Sequence, residues 1–138
     1  MSAPLPTVGE RPPETVIGPF DAAALQRYAD VSGDDNPLHL DDALAQLIGL
    51  AAPPVHGMKL LASFEPMLAA WRPDLAIVTL AATFAQPVLR GELVRLSGRV
   101  VRISEEGVLL RLMAHGAARA PALVGEALLR PASKGETA

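Results

Sequence analysis

Side chains able to move protons at neutral pH stand close together in one stretch, SGDDNPLH, Ser32 to His39. Asp34 or Asp35 lies four or five residues before His39, across an Asn36-Pro37 turn that the Pro ring stiffens. A tight loop of that length can aim a carboxylate and an imidazole at one point. An Asp and a His around one water make a general acid/base pair. Taken alone, the stretch reads more readily as a turn, with Asp and Asn capping the chain and His39 tied to backbone.

A second stretch, PPVHGMKLL (53–61), offers a different function. Gly57 stands where the chain enters an apolar helix. Its N–H, at the positive end of the helix dipole, can hold a developing negative oxygen, and the missing Cβ lets a ligand approach. Alone, Gly57 only eases a sharp corner. His56 beside it can serve as a second catalytic group, although such a His is more often held by hydrogen bonds.

These residues need elements to position them. Residues 1–14, rich in Pro and polar groups, read as a loose arm. TVIGPF (15–20) has strand character. Asp21 caps a helix over AAALQRYADVS, with Leu25, Tyr28 and Ala29 on one face and Gly33 as its stop. Asp41 caps a second helix, DALAQLIGL, with Leu44, Leu47 and Ile48 on its face and Gly49 at its end. AAPPV is a rigid extended link. HGMKLLASFEPMLAAW (56–71) is apolar nearly all round, which predicts a buried helix, kinked or split by Pro66. From residue 75 four strand-like runs follow, with turns at Gly91 and SEEG (104–107). The alternation in VRLSGRVVRIS slips at 100–102, which predicts a bulge near Gly98. The last residues, 132–138, should fray. The order predicts a single α+β domain: an antiparallel sheet folded against one apolar helix.

Composition removes several classes. The chain has 138 residues, no cysteine and net charge −3. Thiolate catalysis, disulfides and Cys-based metal sites are excluded. There is no basic face for nucleic acid. The longest apolar run is half of the ~20 residues that a membrane helix needs, and the start of the chain has no signal-peptide pattern. The expectation is a soluble cytoplasmic protein. No phosphate-binding Gly-rich loop and no G-x-S-x-G occur. The three His lack metal-binding spacings, and an Asp34/His39/His56 metal set has no spacing argument behind it; no metal is expected. Aromatics make up 4%, so Ala, Leu and Val must build the core, and a shared subunit interface would help it bury enough area.

Together, YADVSGDDNPLHLD (28–41) and PPVHGM (53–58) resemble the MaoC-like dehydratases, the family of (R)-specific enoyl-CoA hydratases. ATFAQPVLRGELVRLSGRV (82–100) is similar to that family's F-x-x-P-V-x-x-G-D strand, with Glu92 in the acidic place. The resemblance spans about residues 15–130. It implies a hot-dog fold over 15–131, an antiparallel sheet wrapped around a long central helix, and a homodimer or higher homo-oligomer with tunnels near the subunit interface. It implies an acyl-CoA or acyl-carrier-protein thioester as substrate and no other cofactor. By the same resemblance Asp34 and His39 hold a catalytic water, Gly57 supplies the oxyanion hole, Asn36 braces the loop and Asp35 is a bystander. The implied reaction adds water to a trans-2-enoyl thioester, or removes it from an (R)-3-hydroxyacyl thioester. The alternatives are a hot-dog thioesterase and a non-catalytic acyl-binding subunit. Glu65, where short-chain hydratases carry a small polar residue, departs from the pattern, as do Pro66 and Lys59. Glu65 would narrow the tunnel, bind a polar acyl group or pair with an Arg.

Overall fold

The computed structural model describes residues 4–132. Five strands form one antiparallel sheet: β1 (Thr15–Ile17), β2 (Leu75–Phe84), β3 (Val94–Ser104), β4 (Gly107–His115) and β5 (Leu123–Pro131), in the order β1-β3-β4-β5-β2. Alternation assigns the faces. Val94, Leu96 and Val100 of β3, and Val108, Leu110, Leu112 and Ala114 of β4, are fully buried, while Arg95, Arg99 and Arg111 point outward. The β3–β4 register slips between Val100 and Arg102, so the bulge falls at Val101, three residues beyond Gly98. Gly98 has a packing role instead: a Cβ there would lie 3.3 Å from Leu112 Cδ2.

The inner face of the sheet packs on α3 (Gly57–Ala62) and α4 (Phe64–Trp71). Leu60, Leu61, Phe64, Met67 and Leu68 enter the core at helical spacing. The helix predicted over 56–71 is thus two pieces meeting at Ser63. Pro66 has no N–H for the Ala62 carbonyl, and its ring crowds that carbonyl. Ser63 keeps helical dihedrals (φ −67, ψ −16), and its Oγ donates to the Lys59 carbonyl at 2.8 Å. The result is the hot-dog arrangement, its central helix broken once.

Three expectations are corrected. The central helix is not buried all round: Met58, Ala62, Glu65, Ala69 and Ala70 are exposed, because the sheet covers only one side of it. The second helix is α2 (Asp42–Leu47). Its buried residue is Ala45, while Leu47 and Ile48 are 81% and 56% exposed. So short a helix packs through one small side chain. The expected loose arm over 1–14 is tethered in its described part. Gly9 N–H donates to Val100 O, Val100 N–H donates to Glu10 O, and Arg72 Nη2 donates to Pro4 O. Residues 1–3 and 133–138, the latter covering most of the expected fraying tail, lie outside the described residues.

Helix α1 (Ala22–Ser32) begins with Asp21 Oδ1 accepting from Ala24 N–H at 2.8 Å. It ends at Gly33, whose φ of 80° is left-handed and whose N–H returns to Ala29 O. That turn sends the chain directly into the loop holding Asp34 and His39.

Candidate active site

The Asp34–His39 loop is a set of short local bonds. Ser32 Oγ accepts from Asp34 N–H at 3.1 Å, and Asn36 Oδ1 accepts from Leu38 N–H at 3.0 Å. Asn36 thereby caps a 3-10 turn over Pro37–His39. Pro37 pre-sets the first φ of that turn, so His39 leaves it in a fixed direction.

A segment 15 residues farther on fixes the His39 ring. His39 Nδ1–H donates to Pro54 O at 2.8 Å. A carbonyl only accepts, so in the neutral ring the proton sits on Nδ1 and Nε2 carries the lone pair. Pro54 can present that carbonyl because residues 53–55 run antiparallel to residues 88–90. Val55 N–H donates to Val88 O, Arg90 N–H donates to Pro53 O, and Pro54 bridges Leu89. Arg90 also grips the start of α2: Nη1 reaches Asp42 Oδ1 at 2.8 Å and Nη2 reaches Oδ2. This bidentate bond holds the Asp42 carboxyl below its ordinary value.

His56 links the parts. It is 1% exposed, and its Nε2–H donates to the backbone carbonyl of Asp34 at 3.0 Å. Its ring stacks on His39, with centroids 3.9 Å apart and planes 23° apart, and Tyr28 packs on it at 4.7 Å. Burial is the main reason the His56 pKa falls below 6.5. Its Nδ1 is buried and makes no hydrogen bond among the described residues. His56 therefore touches both Asp34 and His39, yet keeps no free edge toward a substrate.

A carboxylate oxygen of Asp34 and ring nitrogens of His39 and His56 lie within 4.8 Å of one another. A water can bridge such a gap with two hydrogen bonds of about 2.8 Å. A metal ion fits less well. Stacked rings aim their nitrogens side by side rather than at a common point, and Nδ1 of His39 and Nε2 of His56 are already given to carbonyls. Asp35 is exposed, and its backbone N–H bonds Gly33 O.

Asp34 also lines a cavity of about 430 Å³ with Gly57, Met58, Phe84 and Gln86. The Gly57 N–H makes no backbone hydrogen bond among the described residues. Gly57 is needed here for close approach: a Cβ would come within 2.9 Å of Phe84 Cε1 and 3.0 Å of Cδ1. Phe84, 46% exposed, is the wall against which the glycine sits. Glu65 does not join this cluster; it lines a separate groove between α4 and β2.

The sequence reading missed Tyr28, the Pro54 carbonyl and Phe84 as parts of the site. Tyr28 and Phe84 lie inside the stretches already singled out, and their aromatic character in a chain so poor in aromatics was a usable signal. The Pro54 carbonyl has no side-chain signal at all.

An antiparallel sheet wrapped on a broken helix defines a hot-dog domain, in which a carboxylate and an imidazole face one gap and the carboxylate shares a cavity with Gly57. Comparison narrows the class. A MaoC like domain matches residues 5–110, and the chain belongs to that family. It is 32% identical over 117 residues to an (R)-specific enoyl-CoA hydratase of Aeromonas caviae, covering 80% of this chain and 86% of the relative. The solved structure of the (R)-hydratase from A. caviae superposes with a TM-score of 0.83 at 31% identity, over 94% of this chain and all of the other. A 3-hydroxyacyl-thioester dehydratase of Mycobacterium tuberculosis is 36% identical over 78 residues, 56% of this chain but 27% of that longer protein. The fold also matches a chain of the ChsH1-ChsH2 complex of M. tuberculosis, with TM-score 0.81 at 16% identity over 91% of this chain and 98% of that one.

Proposed function

We propose that this protein adds water to trans-2-enoyl thioesters to give (R)-3-hydroxyacyl thioesters, and catalyses the reverse dehydration. The observation that carries this reading is the Asp34–His39 gap, whose Asp34 lines the same cavity as Gly57, a residue with no backbone hydrogen bond from its N–H among the described residues. The thioester carbonyl oxygen rests on Gly57 N–H, and the C2=C3 bond lies over the gap. Asp34 accepts a hydrogen bond from one O–H of the water, and that hydrogen stays on the oxygen as the product hydroxyl. His39 Nε2, the ring nitrogen with the lone pair, takes the other proton as that O–H bond breaks and the oxygen bonds to C3.

The π electrons move toward the thioester carbonyl, where the enolate charge meets the Gly57 N–H. The proton held on His39 then passes to C2, so that one water has been added. The Pro54 carbonyl suits this role because it stays hydrogen-bonded to His39 in both protonation states. Asn36 and His56 support the loop and do not touch substrate. The acyl group is carried on coenzyme A or on an acyl carrier protein, with no further cofactor.

The functional unit is a homodimer. β2 is an edge strand with an unpaired side, and Met58, Val78 and Phe84 beside it are exposed. A second copy on that edge would cover apolar surface and close the groove along β2.

The test follows loss of the enoyl absorbance of crotonyl-CoA, with free thiol monitored in parallel. Hydration without thiol release supports the reading. Thiol release identifies a thioesterase instead. Binding of short, long and branched thioesters with neither reaction identifies a non-catalytic subunit.

A further inference from the structure

Lys59 lies two residues beyond Gly57 on α3 and is half-buried. Its Nζ is 5.4 Å from the centre of the Phe20 ring and 5.3 Å from that of Tyr28. Both separations are within the ~6 Å reach of a cation–π contact. Lys59 joins no ion pair among the described residues. A lysine head ordinarily extends into water, clear of the apolar surface its stem covers. Here the ammonium stays over two aromatic rings, with no carboxylate paired to it.

Tyr28 connects that charge to the reacting groups. On its other side it packs against His56, with ring centres 4.7 Å apart, and His56 stacks on His39 at 3.9 Å. The ammonium is 5.3 Å from Tyr28 and His56 a further 4.7 Å on, so the charge lies within about 10 Å of the His56 ring.

Turnover requires the proton of the water to go to His39, and His56 competes for it. The Asp34 carboxylate lies within 4.8 Å of nitrogens on both rings and draws a proton toward either. A proton on His56 Nδ1 would find no acceptor among the described residues. It would also repel a second charge on His39 across the stack. Burial acts most strongly to keep His56 neutral. The Asp34 carbonyl and carboxylate act against it, while His39 and Lys59 act for it. The Tyr28 phenol, packed on the same ring, brings no charge at neutral pH. Lys59 is thus the one cation outside the imidazole pair that bears on it.

We infer that Lys59 is a positioning residue for this reaction: its ammonium, held against Phe20 and Tyr28, repels a proton from His56 so that His39 alone takes the proton of the water. The inference rests on the hydratase reading and adds a residue to its machinery. The competing account is that Lys59 only covers the two rings with its carbon stem. That account predicts that Met, an unbranched side chain without charge, replaces Lys59 with no effect on how the rate depends on pH.

The test is the pH profile of kcat/KM for crotonyl-CoA in the wild type, Lys59→Met and Lys59→Arg. Removing a positive charge near His56 makes its ring easier to protonate, so the fall in rate on the acid side moves to higher pH. Across about 10 Å in a partly solvated site, the expected move is about half a pH unit. Lys59→Met should therefore lose about threefold on the acid side and nothing on the plateau. Lys59→Arg keeps the charge and should follow the wild type. A wild-type profile in Lys59→Met, or an equal loss at every pH, overturns the inference. A Lys59→Arg profile shifted as far as that of Lys59→Met overturns it too. If no enoyl thioester is hydrated, the hydratase reading fails by itself. NMR titration of the His56 ring, identified by its loss in His56→Gln, then decides whether Lys59 acts on it. A midpoint raised in Lys59→Met supports that action; an unchanged midpoint overturns it.

Discussion

Replacing Gly57 with Ala tests the oxyanion assignment through one added methyl. The new Cβ would lie 2.9 Å from Phe84 Cε1, where ordinary contact is 3.4–4 Å. Phe84 must move by about 0.5–1 Å, in the range where overpacking costs about 1–3 kcal/mol. Phe84 is 46% exposed and can swing outward, so the low end applies. Ala also favours the helix start over Gly, which offsets part of the cost. The net loss is about 1 kcal/mol or less, a fall of at most about 3–5 °C in Tm.

Activity should respond far more. A misplacement of about 1 Å between reacting groups costs on the order of 10²-fold. Gly57→Ala should therefore lower kcat/KM for crotonyl-CoA about a hundredfold while unfolding almost normally. Gly57→Ala with Phe84→Ala removes the clash and should recover at least about tenfold of that loss, since the ring no longer fixes where the carbonyl sits. Full activity in Gly57→Ala would refute the reasoning, because no thioester could then be approaching that N–H.

Three other outcomes follow from the geometry. His56 has a folded-state pKa below its unfolded value of 6.5, so the unfolded chain binds the extra proton first. Its contribution to stability is fully present above pH 6.5 and is lost as pH falls from there toward the folded pKa. His56→Gln should flatten the slope of Tm against pH in that window, as read by thermal melts. Arg90→Leu frees Asp42 and loosens the 53–55 segment that presents Pro54 O. Turnover should fall severalfold with little change in Tm, because this ion pair is partly solvent-exposed. A Met58→Glu substitution beside the β2 edge should shift the protein toward monomer in analytical ultracentrifugation, since it puts charge on the apolar surface that a second copy would cover.

The sequence was legible where structure is set locally. Asp21 and Gly33 mark the two ends of α1, and both act through their own side chain or backbone freedom. The strands followed from alternation, and Pro66 announced a broken helix although the break falls at Ser63. The closeness of Asp34 to His39, and of Asp34 to Gly57, was readable because one loop and one corner hold these residues. What was not readable depends on distant packing. The His39 proton is positioned by a carbonyl 15 residues away, and the stack of Tyr28, His56 and His39 joins three separate segments. The face of α2 was misread because Leu44, Leu47 and Ile48 repeat at helical spacing, yet the tertiary neighbour takes only Ala45. Glu65 stood out in the sequence, but only the groove between α4 and β2 shows what surrounds it.

The central claim is that Asp34 and His39 hold the reacting water while Asp35 does not. The two aspartates are adjacent and chemically identical, and both belong to residues exposed on the same loop. The most direct measurement is kcat/KM for crotonyl-CoA hydration in Asp34→Asn and Asp35→Asn, each checked for an unchanged melt. Asp34→Asn should lose on the order of 10²–10⁴-fold, the range of one general acid/base group, and Asp35→Asn should stay near wild type. A reversed pattern, or an active Asp34→Asn, would contradict the account.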